Sequence, residues 1–457
     1  MSITATGLES AVDTMKWLFL IYFIAMNCGY LLLNLLSIGA LKRSLESSML
    51  QLLRRPASGY EPPISVIMPA RGQAVAIKDS VHALLRLDYP EHEVIVVVDR
   101  SQEATLASLK HEFKLALFPE AYWKRLDVRP THGIYRSATF PNLRVIDKAD
   151  ASVADALNAG INAARYPLFC AVQEQTVLMR DGMRRLARPF LDEATTVASA
   201  CAVGVANGCT VSDGYLMQAG LPESLPGLIQ VVETLRSESF GRLGWSALNA
   251  VLTIPEAFAV FRKETVIAVG GFRNNALLPN ADLVMRLHRL HRIASEPYRV
   301  VLLPDTLCAE RMPEKLAALA ARRSFAQRGL VDILAKSRGL FLHVRAGASG
   351  WLAYPYLLLF EGIGPLIEVL AYVLMFAAFA AGLLSLQSLL AFLLVSTGLA
   401  LLVSVSALLL DEGTFHRYAS PGQLARLLFA ALIENIGYRQ WIACARLKGL
   451  WRWLRGA

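Results

Sequence analysis

From Trp17 to Leu41 the chain carries no charged residue, and the run has about the length a helix needs to cross the hydrocarbon core of a bilayer. It exceeds a typical signal-peptide core and no small-residue cleavage site follows, so it reads as a retained transmembrane helix. Lys42, Arg43, Arg54 and Arg55 come next. Positive flanks stay on the cytoplasmic side, which predicts a cytoplasmic domain after the helix and an outward N-terminus. A second apolar region closes the chain. Val369–Leu386 and Ser388–Leu410 each approach spanning length, with a small-residue break around Ser385. Tyr354–Glu368 holds Pro355, Gly362, Gly364, Pro365 and two carboxylates, a composition that suits an interfacial or re-entrant segment. Leu424–Leu447 carries Glu434, Arg439 and Arg446, and is expected as an amphipathic surface helix or a protein-facing span. Trp451 and Trp453 among Arg446, Lys448, Arg452 and Arg455 predict an interfacial anchor. These segments explain 54% hydrophobic residues and a mean hydropathy of +0.41. The expected location is a bacterial inner membrane, crossed more than once.

The middle of the chain has a different pattern. Ile64–Met68 and Val94–Val98 are short β-branched runs of the kind a parallel sheet buries on both faces. Between them Ala74–Leu87 reads as a helix ending before the Asp88-Tyr89-Pro90 turn. Strand, helix and strand with short links open a doubly wound α/β fold. Later strands are expected at Leu143–Ile146, Leu168–Val172, Val197–Val203 and Ala257–Phe261, with a helix at Ser152–Arg165. The organisation is therefore residues 1–41 as a transmembrane helix, 42–350 as a cytosolic α/β domain and 351–457 as a membrane region.

The net charge of +9 comes from Lys and Arg scattered or flanking apolar segments, and no base-reading module appears, so nucleic acid is excluded as a partner. The lipid bilayer is the implied one. Six cysteines show neither CxxC pairing nor ligand spacing, which argues against a zinc site or a disulfide framework.

Several stretches carry a family resemblance: LLRLDYPEHEVIVVVD (Leu84–Asp99), ADALNAGINAARYPL (Ala154–Leu168), AFAVFRKETVIAVGGF (Ala257–Phe272), LVMRLHR (Leu283–Arg289) and IENIGYRQ (Ile433–Gln440). Together with the order helix, α/β domain, membrane bundle, they resemble the processive membrane members of glycosyltransferase family 2, the group of cellulose, hyaluronan and poly-N-acetylglucosamine synthases. The resemblance implies a GT-A fold, an inverting transfer from a nucleotide sugar, a divalent ion held by a DxD motif, an aspartate general base and a QxxRW acceptor motif.

The positions that would carry this chemistry depart from the family. The DxD place reads Gln173-Glu174-Gln175. Amides bring no charge to a hard cation, and in an extended segment Glu174 points opposite to its neighbours. The base position aligns with Asn280, which accepts no proton; Asp282 and Glu256 are the substitute candidates. The QxxRW place reads Arg322, Arg323, Ser324, Phe325, Ala326. Gly72 and Gln73 replace an asparagine and a glutamate, Ser152-Val153 replace a glycine-lysine pair, Arg100 replaces a glycine, and Pro255-Glu256 replace a serine-glycine pair. Asp99 and Asp155 remain as candidate nucleotide contacts.

Losing metal ligands, base and acceptor clamp together, with the apolar core intact, predicts a pseudoglycosyltransferase that scaffolds or regulates an active synthase of a surface polysaccharide. The partners are then an active glycosyltransferase and, if the pocket still binds it, a nucleotide sugar. The alternative is an active inverting transferase with rebuilt chemistry; only then is Mg2+ or Mn2+ expected. A third reading is a nucleotide or lipid sensor without turnover.

Overall fold

The computed structural model describes residues 2–53, 61–99, 102–149, 152–418 and 420–456, without the side chains of 2–9, 43–53 and 238. Expectations resting on Arg54, Arg55, Arg100 and the Arg43 side chain lie outside it.

The β-branched runs form the centre of a sheet. Strands β1 (Ile64–Ala70), β2 (His92–Asp99), β3 (Leu115–Leu117), β4 (Thr131–Ser137), β5 (Leu143–Lys148), β6 (Leu168–Val172), β7 (Thr176–Leu178), β8 (Thr196–Val205), β9 (Thr210–Ser212), β10 (Tyr215–Gln218), β11 (Phe258–Arg262) and β12 (Arg299–Glu310) join in the order β3-β4-β5-β2-β1-β6-β11-β8-β12-β7-β10-β9. Strands β5, β2, β1 and β6 run parallel, with Ile64 beside His92 on one side and Leu168 on the other. All seven residues of β1 are buried, as a central parallel strand covered by helices requires. Ile67, Ile95 and Phe169 pack on the face covered by the Val153–Ala163 helix, and Val66, Val96 and Cys170 pack on the other. That helix lies close to β1: a Cβ on Gly160 would sit 2.3 Å from Ile67 Cγ2. Topology and helix placement are those of a GT-A-like mixed α/β sheet.

The amino-terminal helix, Ser2–Leu53, contains the stretch Ser10–Lys42, long and apolar enough to cross a membrane. Leu386–Phe415 qualifies as well. Ser349–Gly362 and Gly364–Ala380 meet at 46°, as a broken span or a re-entrant loop. The C-terminal boundaries differ from those read in the sequence. The first helix runs Gly364–Ala380 rather than 369–386, because Pro365 sits in a first turn that needs no N–H from it. The chain then turns through Gly382 at φ 73°, and Ser385 caps the next helix by accepting the Ser388 N–H at 3.2 Å. The stretch expected as one helix over 424–447 breaks at Ile436 and Gly437 into Pro421–Ile433 and Arg439–Leu454.

The two sections are seated on each other. The Arg242–Ala247 helix packs against the amino-terminal helix so tightly that a Cβ on Gly244 would lie 2.4 Å from the Leu33 carbonyl oxygen. Only glycine permits that approach.

Candidate functional site

The carboxyl ends of β1, β2, β5 and β6 meet along one edge of the sheet, where open α/β folds bind ligands. Two of the four, β2 and β5, end there on charged residues. Asp99 ends β2 and pairs in register with Lys148 at the end of β5. Lys148 is fully buried, with Nζ 2.9 Å from Asp155 Oδ2. Asp155 also accepts the Arg129 N–H at 3.0 Å, and its own N–H donates to Ser152 Oγ at 3.1 Å. Its carboxylate is therefore enclosed in an ion pair at a helix start, where the dipole favours it. Lys148 went unnoticed in the sequence; the charged residues Asp147 and Lys148 directly after the expected strand Leu143–Ile146 were the available signal.

Beyond β6 the chain crosses the pocket mouth as Gln173-Glu174-Gln175. Gln173 and Gln175 line the cavity beneath. Glu174 turns the other way: Oε2 accepts the N–H groups of Arg71 at 2.7 Å and Gly72 at 2.8 Å, and Ser80 Oγ donates to its carbonyl at 2.6 Å. The carboxylate thus closes the loop after β1 as an internal anion on two successive backbone donors. Gly72 is needed there, since a Cβ would meet Glu174 Oε1 at 2.4 Å.

The residue expected at the base position is equally committed. Asn280 is buried at the start of the Pro279–Ala294 helix, and its Nδ2 donates to the Pro255 carbonyl at 2.9 Å. Glu256 caps that helix, Oε2 accepting the Asn280 N–H at 2.9 Å and Oε1 the Ala281 N–H at 3.2 Å. Burial pushes the Glu256 carboxyl up to about 7, against the lowering pull of the two backbone donors and Arg242, with Glu310 adding to the rise. Asp282 is buried in ion pairs with Arg286 at 2.8 Å and Arg273 at 3.3 Å. Arg286 also donates to the Val269 and Gly271 carbonyls. None of the three carboxylates, Glu174, Asp282 or Glu256, is without donors.

A cavity of about 540 Å³ extends from Gln173 and Gln175 down between the α/β domain and the apolar helices. Arg322, Arg323, Phe325 and Ala326 line its wall. Arg322 pairs with Glu310 at 2.7 Å and Arg323 with Glu233. Phe325 is half exposed, and no indole occupies the Ala326 position. Next along, Gln327 donates to the carbonyls of Glu361 and Gly362 at 2.8 and 2.7 Å and accepts from Arg446 Nε at 2.8 Å. At the end lined by the apolar helices, Arg236 pairs with Glu434 at 2.5 Å and Arg439 with Glu368 at 2.8 Å. The sequence did not single out Glu233, Arg236 or Trp245, all of which line the cavity, because only the fold brings their segment against the apolar helices.

The donor set does not fit a divalent ion. Two neutral amides face the pocket, the lone carboxylate between them is turned into the β1 loop, and among the described residues no three His, Cys, Asp or Glu side chains gather to hold a metal.

Residues 65–210 match the model of glycosyl transferase family 2. The chain carries a family 2 glycosyltransferase domain. Two poly-beta-1,6-N-acetyl-D-glucosamine synthases from Staphylococcus epidermidis are 23% identical over 260 residues, covering 57% of this chain and 52% of theirs. The chain spans about half the length of the curated relatives it matches. Among solved structures, the mannosyltransferase PcManGT from Pyrobaculum calidifontis, in complex with GDP-Man and Mn2+, aligns over 92% of this chain and 99% of its own with a TM-score of 0.54 at 18% identity, a likeness of fold. The family 2 domain, the polysaccharide synthase relatives and the apolar helices agree with the resemblance read from the sequence.

Proposed function

We propose that this chain is a membrane-embedded, catalytically silent member of glycosyltransferase family 2 that scaffolds or regulates an active synthase of a surface polysaccharide. One observation carries the reading: the carboxylate at the metal position is bound to the Arg71 and Gly72 N–H groups, and the residue at the base position is an amide bound to a backbone carbonyl. A transferase needs charge at both places, on the leaving diphosphate and beside the attacking hydroxyl. Here the first carboxylate is held by the fold and the second place carries no charge. The ion pairs of Arg322 and Arg323 with Glu310 and Glu233 support the same reading at the acceptor clamp. Nucleotide sugar, if bound, is held without a resident metal.

Lipid vesicles containing the purified full chain test this with uridine diphosphate sugars and Mn2+. The expected result is neither transfer nor hydrolysis, and recovery of a motif-intact glycosyltransferase when cells are extracted in mild detergent. Metal-dependent turnover that disappears in Glu174→Ala would establish the alternative, an inverting transferase with relocated ligands.

A further inference from the structure

The segment joining the α/β domain to the bent membrane pair is built for a surface that nothing above assigns. After the Leu316–Lys336 helix, Phe341, Leu342 and Val344 are exposed, Val344 by 88%, followed by exposed Trp351 and Leu352. Such a cluster of large apolar side chains marks an interaction site. The loop that presents them is fixed. Leu342 holds φ 49°, a left-handed value uncommon for leucine, and its N–H donates to the Gly350 carbonyl at 3.1 Å. Trp351 Nε1 donates to the His343 carbonyl at 3.1 Å, and Arg345 to the Ile293 carbonyl at 3.3 Å.

Cations surround the cluster. Arg289, Arg338 and Arg345 are exposed, and the guanidinium groups of Arg289 and Arg292 lie against Gly339 and Gly347. The carboxylate at this rim, Glu296, is 3.2 Å from His291 Nδ1.

Depth follows from contacts with the amino-terminal helix. Phe360 packs on Tyr22, while Tyr356 packs on Tyr30 and donates to the Met26 carbonyl. Reading backwards from Phe360 therefore climbs toward the end of that helix where Leu33 meets the α/β domain. Ser349 to Tyr356 rises roughly 10 Å at helical pitch, which brings Val344 and Trp351 to the boundary between the membrane helices and the domain.

We propose that residues 338–352 form an interfacial anchor for anionic phospholipid, with Phe341, Val344 and Trp351 in the headgroup layer and Arg289, Arg338 and Arg345 on lipid phosphates. Apolar residues interleaved with cations are what an anionic leaflet attracts. The anchor continues directly into a membrane segment and fixes how the domain stands on the bilayer. It rests on the membrane-embedded part of the reading above and not on its catalytic part.

The full chain, with Cys28, Cys209 and Cys444 replaced by serine, is spin-labelled singly at Val344→Cys, Trp123→Cys or Leu394→Cys and reconstituted in phosphatidylcholine with or without phosphatidylglycerol. Collisions with oxygen and with a water-soluble nickel chelate report depth. Trp123, 87% exposed on the α/β domain, is the aqueous reference, and Leu394, 73% exposed within an apolar helix, the lipid one. The label at 344 is expected to show a severalfold higher oxygen-to-nickel ratio than that at 123, rising further with phosphatidylglycerol. Arg338→Gln with Arg345→Gln removes the phosphatidylglycerol-dependent rise. A label at 344 that behaves like 123 in both lipids, while 394 is lipid-exposed, overturns the anchor alone. A water-exposed 394 overturns the membrane reading beneath it.

Discussion

The backbone N–H of Asn280 donates to Glu256 Oε2 at 2.9 Å while the Asn280 amide donates to the carbonyl of Pro255 at 2.9 Å. Two departures from the family, Pro255-Glu256 and Asn280, thus form one interlocked unit. Putting an aspartate back at 280 removes the donor to Pro255 and sets a second carboxylate beside Glu256. Asn280→Asp is expected to lose on the order of 1–3 kcal/mol, the usual cost of leaving a buried polar group unmatched. Thermal unfolding in detergent measures it, and the loss should be smaller at pH 5, where the new carboxyl can hold a proton, than at pH 8.

Glu256 itself makes stability depend on pH. Its folded-state carboxyl is raised to about 7 from a reference of 4.5. The folded chain therefore keeps the proton over a range where the unfolded chain has released it. Stability from this group is greatest below about 4.5, falls as pH rises toward 7, and is level above, a loss on the order of 3 kcal/mol. Unfolding midpoints between pH 4.5 and 8 should follow that slope, and Glu256→Gln, which has no charge to bury, should flatten it.

Glu174 is expected to act on the loop after β1. Glu174→Ala removes the acceptor of two backbone N–H groups, and the exposed Arg71 beside them loses its tether. Limited trypsin digestion should cut after Arg71 severalfold faster in the variant than in the parent chain, with Mn2+ making no difference to either.

Much of this architecture was legible in the residues. Ile64–Met68, Val94–Val98 and Leu168–Val172 became β1, β2 and β6 because short, largely apolar runs bounded by turn residues have few alternatives to a buried parallel strand. β12 escaped notice: its burial alternates along Arg299–Glu310, and Pro304 and Asp305 interrupt the pattern. The short hairpin strands β3 and β4 carry His132, Arg136 and other half-exposed residues, so no hydrophobic period marks them. At the candidate site, the sequence named residues and their chemical types. It did not reveal the partners, since Glu174 with Gly72, Asn280 with Pro255, and Arg323 with Glu233 are joined only by the fold. Side chains that a one-dimensional reading leaves open to catalysis are, in three dimensions, held by backbone and ion pairs.

The Lys148–Asp155 pair provides the sharpest separation between a structural and a ligand-binding carboxylate. Both side chains are essentially without solvent contact, 2.9 Å apart, and Lys148 Nζ donates in addition to the Arg129 carbonyl at 2.5 Å. Removing one partner strands the other charge in a low-dielectric interior, at a cost of about 3–5 kcal/mol. Asp155→Asn and Lys148→Met should therefore each destabilise strongly. Removing both charges together strands neither, so Lys148→Met with Asp155→Asn should recover more than half of the summed loss in a double-mutant cycle. A nucleotide ligand should add nothing to this coupling: uridine diphosphate at saturating concentration is expected to shift the melting temperature of Asp155→Asn no less than that of the parent chain. A shift seen in the parent and lost in the variant would return Asp155 to the nucleotide site.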